Sequence, residues 1–268
     1  MATQVGFAPV APEEALSPGT CRLAGMEAGY AGLTDPGRVR ANNEDGLLLL
    51  PEAGLFAVAD GLGGLGAGDV ASRTVLSYLH RQLSALPFPA DGREPSLSRL
   101  EALVAAANRH TYEYRLDLGN TMATTLALVW AGARSVLAAH VGDSRIYRWH
   151  RGCLIRITSD HSLVHALCEQ GALTEVQARQ SPQRHVITRA IGAEAEVRPS
   201  IRAVEVDPGD VLLLCTDGLT AMVPDEAIAA LLGSNPSDPG TLVNGLVRLA
   251  NEAGGHDNIT AIAVTIEP

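Results

Sequence analysis

The chain predicts an α+β fold in which antiparallel sheets are covered by helices arranged in pairs. Short apolar runs follow one another with no helix between many of them, at 47–50, 55–59, 124–130, 136–141, 146–149, 201–206, 211–215 and 259–266. Helical periods come two at a time, whereas a parallel doubly wound sheet needs one helix at every crossover. The 268 residues, 46 % of them hydrophobic, are enough for one domain with a substantial core.

In chain order, residues 1–20 read as an Ala/Pro-rich flexible arm and 21–268 as the domain itself. The first helical pair places Val75, Leu79 and Leu83 on one face after a cap at Asp69, and Leu97, Leu100, Val104 and Ala107 after a cap at Ser96. The second pair has Asp225 capping Ala227 to Leu232 ahead of Gly233, then Leu242, Leu246 and Leu249. Segments 87–95 and 234–240 are loops by their Pro, Gly, Asp and Ser content. Residues 161–189 differ: an amphipathic turn (Leu163, Leu167, Gly171), a capping box from Thr174 to Gln177 and the polar stretch 181–185 read as a flap-like insert.

Composition removes several classes of function. The formal charge of −10 disfavours a nonspecific grip on nucleic acid or an anionic membrane, and no apolar run is long enough to cross a bilayer. All 20 basic residues are arginine, which excludes a Walker P-loop, a kinase strand lysine and Schiff-base chemistry together. Cys21, Cys153, Cys168 and Cys215 form no CxxC pair and read as reduced, mostly buried thiols rather than a zinc site or disulfide framework. With no basic residue before Arg22 to start a secretory signal, a cytoplasmic location is expected.

The acidic excess is placed at strand ends. Asp60 closes the run 55–59 and Asp217 follows 211–215, while Asp45 precedes 47–50 and Asp257 precedes 259–266. The tight connection 51–54 makes an antiparallel hairpin of the first two runs, which sets Asp45 against Asp60. Asp217 and Asp257 meet in the same way if their strands are neighbours. Singly, Asp60-Gly61 and Asp217-Gly218 read as turns and Asp257-Asn258 as a loop cap. As a set, converging carboxylates repel unless bridged, and oxygen-only ligation favours Mg²⁺ or Mn²⁺ over zinc. Arg40, five positions before Asp45, is a surface residue when taken alone. Beside a metal rim it is the expected grip for a phosphate dianion.

Seven segments then fall in order: Arg40-Ala41-Asn42-Asn43-Glu44-Asp45, Val58-Ala59-Asp60-Gly61-Leu62-Gly63-Gly64, Met122-Ala123-Thr124-Thr125, Gly142-Asp143-Ser144-Arg145, Thr188-Arg189-Ala190-Ile191-Gly192, Thr216-Asp217-Gly218-Leu219 and Asp257-Asn258-Ile259-Thr260. From about Ala28 to Ile266 the chain resembles the metal-dependent protein phosphatases of the PPM type, also called type 2C, in their bacterial style. The resemblance implies a four-layer α/β/β/α sandwich, two antiparallel sheets flanked by pairs of helices. It also implies hydrolysis of phosphoserine and phosphothreonine by metal-activated water without a covalent intermediate. Two Mn²⁺ or Mg²⁺ ions are implied, with Asp60 bridging them, Asp217 and Asp257 on one, the Gly61 carbonyl on the other, and Glu44 and Asp45 ligating directly or through water. Asp143 matches the position of a weaker third ion, although Gly142-Asp143-Ser144 also reads as a plain bulge. Arg40, Asp45 and Asp60 are the catalytic candidates. Phosphorylated proteins are the implied substrates and a cognate serine/threonine kinase the implied partner, with neither nucleic acid nor membrane.

The sequence departs from that family at Leu62 and Leu65, where related chains carry a histidine, and at Ala123, where glycine is usual. A metal-bound water or His161 is then the candidate proton donor, His161 also reading as a structural loop residue. Gly61 to Gly66 satisfies GxGxxG, but Asp60 would repel a pyrophosphate and no acidic strand end follows about 20 residues on. No cysteine has an arginine six positions later, which excludes a cysteine-dependent phosphatase. A noncatalytic phosphoprotein- or kinase-binding module of the same fold is the competing reading.

Overall fold

The computed structural model describes residues 17–63, 67–84, 95–132, 136–234 and 237–268. In chain order these form β1 (Gly19–Leu23), β2 (Met26–Asp35), β3 (Asp45–Leu50), β4 (Leu55–Leu62), α1 (Ala67–Ser84), α2 (Leu97–Leu118), β5 (Ala123–Thr124) and β6 (Leu126–Ala131). They continue as β7 (Val136–Val141), β8 (Arg145–His150), β9 (Cys153–Arg156), α3 (Leu163–Glu169), α4 (Glu175–Gln180) and β10 (Ser200–Val204). Last come β11 (Val211–Cys215), α5 (Asp217–Thr220), α6 (Asp225–Ser234), α7 (Pro239–Glu252) and β12 (Ile259–Ile266).

One sheet runs β1-β2-β12-β11-β8-β9 and the other β10-β7-β6-β4-β3, with β5 attached to β4. Every pairing between these strands is antiparallel. The two-residue period of a strand sorts side chains into three apolar layers. Phe56, Val58, Ala127 and Val129 meet Leu212, Leu214, Ile262 and Val264 between the sheets. The alternate residues Ala57, Ala59 and Leu128 pack outward on Val75, Leu79, Leu100 and Val104 of α1 and α2. Leu213, Ala261 and Ala263 pack on Ile228, Leu232, Leu242 and Leu246 of α6 and α7. The result is the expected sandwich of two antiparallel sheets between helical pairs, with each fully buried aliphatic side chain stabilising it by about 1.5–3 kcal/mol.

Several local expectations change. Strand β1 begins at Gly19, two residues inside the proposed arm, and pairs with β2; residues 1–16 lie outside the described residues. The run 124–130 breaks at Thr125, whose N–H donates to the Asp60 carbonyl (2.9 Å) and whose hydroxyl accepts from the Asp60 N–H (2.9 Å). Ser96 caps α2 by accepting from Arg99 N, and Thr174 and Gln177 form the reciprocal box on α4. Asp69 is not a cap: α1 starts at Ala67, so Asp69 lies in the first turn, paired with Arg73 (2.6 Å). Gly233 lies inside α6 rather than beyond it, where a Cβ would come within 3.2 Å of the Trp149 ring. Most of the loop 87–95 lies outside the described residues, and Asp238 at the end of the second loop caps α7. Among the described residues, no helix is long and apolar enough to cross a membrane.

Candidate metal centre

Both sheets end in carboxylates on one side of the sandwich. Asp45, the first residue of β3, stands opposite Asp60 of β4 in the ladder. In the other sheet Cys215 pairs with Ala261, which carries Asp217, just past β11, toward the entry of β12 beside Asp257. That adjacency completes what the hairpin alone leaves open. Gly218 makes it possible, because a Cβ there would lie 1.9 Å from the Asn258 carbonyl oxygen. Asp143 joins from the β7–β8 turn, where Gly142 takes φ +101° and would meet Thr125 at 2.7 Å if it carried a Cβ.

The carboxyls feel one another. Burial pushes the Asp45 carboxyl up to about 7, against hydrogen bonds from Thr260 and Thr216 that hold it down, with Asp217 and Asp257 raising it further. Asp60 is driven well above the usual range by burial and then by Asp45, Asp217, Asp143 and Asp257. Burial and Asp217 push Asp143 up to about 7. Burial and then Asp257 raise Asp217, with Asp60, His185 and Arg145 acting to hold it down. Without compensating cations the cluster therefore retains protons at neutral pH.

Glu44 closes the floor. Its carbonyl accepts from Gly61 N (3.2 Å) and from the Ser72 hydroxyl (2.7 Å), and its N–H donates to Asn258 Oδ1 (2.9 Å). A Cβ on Gly61 would lie 2.3 Å from the Gly68 carbonyl oxygen, and one on Gly68 would lie 2.3 Å from Glu44 Oε2. The two glycines form a cradle open only to backbone. Asn258 staples the Arg40 loop to the entry of β12, its Nδ2 donating to the Pro36 (3.0 Å) and Asn42 (2.9 Å) carbonyls. Arg40 Nη2 pairs with Asp257 Oδ2 at 2.8 Å on the half-exposed edge.

His161 does not face this rim as a free donor. Its ring stacks on His140 with centroids 4.4 Å apart, and its nitrogens engage Gly142 N (3.2 Å) and Ser200 Oγ (2.9 Å). Burial, with His140 and Arg189, pushes it down to about 3, so the imidazole is neutral and holds the Asp143 turn in place. The insert returns on itself at its base, Thr188 N donating to the His161 carbonyl (2.7 Å) and Leu163 N to that of Val186 (2.8 Å). From its second half, His185 is close enough to Asp217 to lower that carboxyl. Sequence reasoning missed His185 and Thr34, and met Asn258, Thr216 and Thr260 only inside shared segments without a hydrogen-bonding role, because each is an ordinary polar residue until the fold sets it against a carboxylate or a carbonyl.

Another acidic group lies elsewhere: His150, Asp207 and Asp210 bring ligand-type atoms within 4.8 Å of one another. There Arg148 already supplies the cation, 2.6 Å from Asp210 and 2.8 Å from Asp207. Among the described residues no arginine forms an ion pair with Asp45, Asp60, Asp143 or Asp217, whose donors are all oxygens. The donor set and the Gly61 cradle fit hard divalent ions.

The fold and this rim define the class: a helix-covered antiparallel β-sandwich suited to divalent cations and an anionic substrate. The profile of protein phosphatase 2C matches residues 38–237. The chain is 37 % identical over 243 residues to the serine/threonine protein phosphatase PstP of Mycobacterium tuberculosis, a match covering 88 % of this chain and 45 % of that protein. It is thus similar to rather less than half of the length of that relative. It is 35 % identical to the serine/threonine phosphatase stp of Listeria monocytogenes, covering 86 % of this chain and 93 % of that one. The solved catalytic domain of PstP in complex with two manganese ions superposes with a TM-score of 0.79 at 34 % identity, covering 90 % of this chain and 99 % of that one. The chain belongs to the protein phosphatase 2C family, the metal-dependent serine/threonine protein phosphatases of PPM type.

Proposed function

We propose that the chain hydrolyses phosphoserine and phosphothreonine in proteins, using Mn²⁺ or Mg²⁺ held by the aspartate rim. The observation that supports this best is the convergence of Asp45, Asp60, Asp143, Asp217 and Asp257 from both sheets onto one rim, where the charges act on one another and the donors are oxygens only. Asp60, which feels Asp45, Asp217, Asp143 and Asp257, would be shared between two ions; Asp217 and Asp257 would hold one and the Gly61 carbonyl the other. Glu44 and Asp45 ligate directly or through water, and Asp143 serves a weaker third ion.

When bound, a pair of divalent ions supplies Lewis acidity to a phosphate ester and makes water acidic enough to act as a nucleophile at neutral pH. The chain's own residues bind and orient. Arg40 sits at the half-exposed edge of the rim beside Asp257, where its guanidinium would hold a phosphate dianion through two oxygens. His161 and Gly142 hold Asp143, and the 161–189 insert covers the approach with His185 toward Asp217. Phosphorylated proteins are the substrates and a cognate serine/threonine kinase is the partner. The four free cysteines accord with a cytoplasmic setting, two of them held as thiols by burial, Cys21 pushed up to about 11 and Cys215 to about 12.

The test is turnover of p-nitrophenyl phosphate and a phosphothreonine peptide with and without Mn²⁺, comparing the parent with Asp60→Asn and Asp257→Asn. Mn²⁺-dependent turnover lost in both variants is the expected result. Phosphopeptide binding without turnover in excess Mn²⁺ favours the noncatalytic module, and turnover indifferent to chelator and to both substitutions ends the proposal.

A further inference from the structure

We propose that Asn43, Thr34 and Thr260 close a one-directional hydrogen-bond ring on Asp45, and that this ring decides which carboxylate oxygen is presented to the metal rim. The inference rests on the reading of the rim given above. Its starting point is a donor that cannot reverse: the Asp45 backbone N–H donates to Asn43 Oδ1 (3.1 Å). The Asn43 amide is therefore oriented with Nδ2 toward Thr34, to which it donates (2.9 Å). The Thr260 hydroxyl gives its one hydrogen to Asp45 Oδ2 (2.7 Å), so the Thr34 hydroxyl is the donor in its 2.7 Å bond to Thr260 Oγ1. The circuit begins and ends on Asp45.

A second backbone donor fixes the remaining hydroxyl. Thr260 N donates to Thr216 Oγ1 (3.0 Å), which leaves the Thr216 hydrogen for the same Asp45 Oδ2 (2.7 Å). Both hydroxyl donors fall on Oδ2, so Oδ1 is the oxygen left for the rim. All five side chains are buried, where an unpaired polar group is costly, so the hydrogen positions are tightly constrained. Thr34 and Thr260 face each other across β2 and β12, while Asp45 opens β3 in the other sheet. The ring thus ties one sheet's carboxylate to the other sheet's hydroxyls. A metal ligand set by such outer partners loses affinity when they are removed, although they touch no ion themselves. Thr34 is a positioning residue, two hydrogen bonds from the carboxylate.

Calorimetric titration of the full chain with Mn²⁺ tests this, using Thr34→Val, Thr34→Ser and the parent, with circular dichroism to show that each is folded. Thr34→Val is expected to weaken Mn²⁺ binding by about tenfold, and Thr34→Ser, which restores the hydroxyl without the methyl, to recover most of it. If Thr34→Val does not fold, Thr34→Ala replaces it in the comparison, since it places no methyl against Thr260. Unchanged Mn²⁺ affinity in the folded variant lacking the hydroxyl, or an equal loss in Thr34→Ser, overturns the ring while leaving the rim intact. A parent that takes up no Mn²⁺ overturns the reading of the rim, and the ring's role with it.

Discussion

The strand β11 has an aspartate beyond each of its ends, Asp210 buried and Asp217 half-buried, and they are compensated differently. Before it, Asp210 is 2 % exposed and meets two groups of the protein's own, Arg148 Nη2 at 2.6 Å and His150 Nδ1 at 2.6 Å. Beyond it, Asp217 joins Asp45, Asp60 and Asp143, where burial and like charges raise every carboxyl and the partners of Asp45 are hydroxyls. A buried carboxylate paired with a resident cation is part of the scaffold. A set of crowded, partly buried carboxylates without one is tenable only with protons or with cations from solution.

Breaking each cluster in the same way separates the two. Asp60→Asn is expected to lower Mn²⁺-dependent turnover by about 10³-fold, several kcal/mol of transition-state stabilisation, while making the metal-free protein more resistant to urea because folding no longer has to force a proton onto that carboxyl. Asp210→Asn should do the opposite. It leaves Arg148 without its buried partner and costs about 3 kcal/mol of unfolding free energy by urea titration, with Mn²⁺ binding kept. If Asp210→Asn abolished Mn²⁺ uptake and Asp60→Asn did not, the assignment of the two clusters would be reversed.

The same contrast has a pH signature. Asp45 and Asp143 have pKa values of about 7 in the folded chain against 3.8 for the ordinary carboxyl, so between those values the folded state holds protons that the unfolded state has lost. Their contribution is destabilising and grows as pH rises through that window. The Tm of the metal-free protein should therefore be lower at about pH 8 than at about pH 5, and saturating Mn²⁺ should remove much of the fall. Asp160, held below the usual carboxylate range by Arg145 and Arg156 against the opposing effect of burial, acts with the reverse sign, losing its stabilisation only as the solution is acidified. The smallest expected effect is at the edge: Arg40→Ala should raise KM for a phosphothreonine peptide by about tenfold, with kcat falling less.

What could be read from the sequence was what is local. The tight connection 51–54, closed by Gly54 at φ +65°, makes the facing of Asp45 and Asp60 a matter of a single hairpin. Amphipathic spacing found both helical pairs, and the strand order suggested by consecutive apolar runs was right in kind. The β1–β2 hairpin was hidden because β2 is rich in small residues, and they are small for a reason: a Cβ on Gly29 would lie 2.9 Å from Thr265 Oγ1. The pairing of Arg40 with Asp257 joins residues 217 positions apart, and the threonines around Asp45 carry no pattern of their own. Such long-range polar contacts arise from sheet order, which no short window of sequence contains.

The facing of Asp45 and Asp60 lies in the same ladder that sets Leu47 opposite Val58 and Leu49 opposite Phe56. Because strand side chains alternate, a one-residue slip of that hairpin would exchange the residues that fill the space between the sheets with those packed under the helices, and separate the two acids in the same movement. Chemistry and folding thus share one alignment: a chain that misregisters here loses its interior and its reactive edge together, and repacking the interior by evolution or design is safe only where the pairing stays in step.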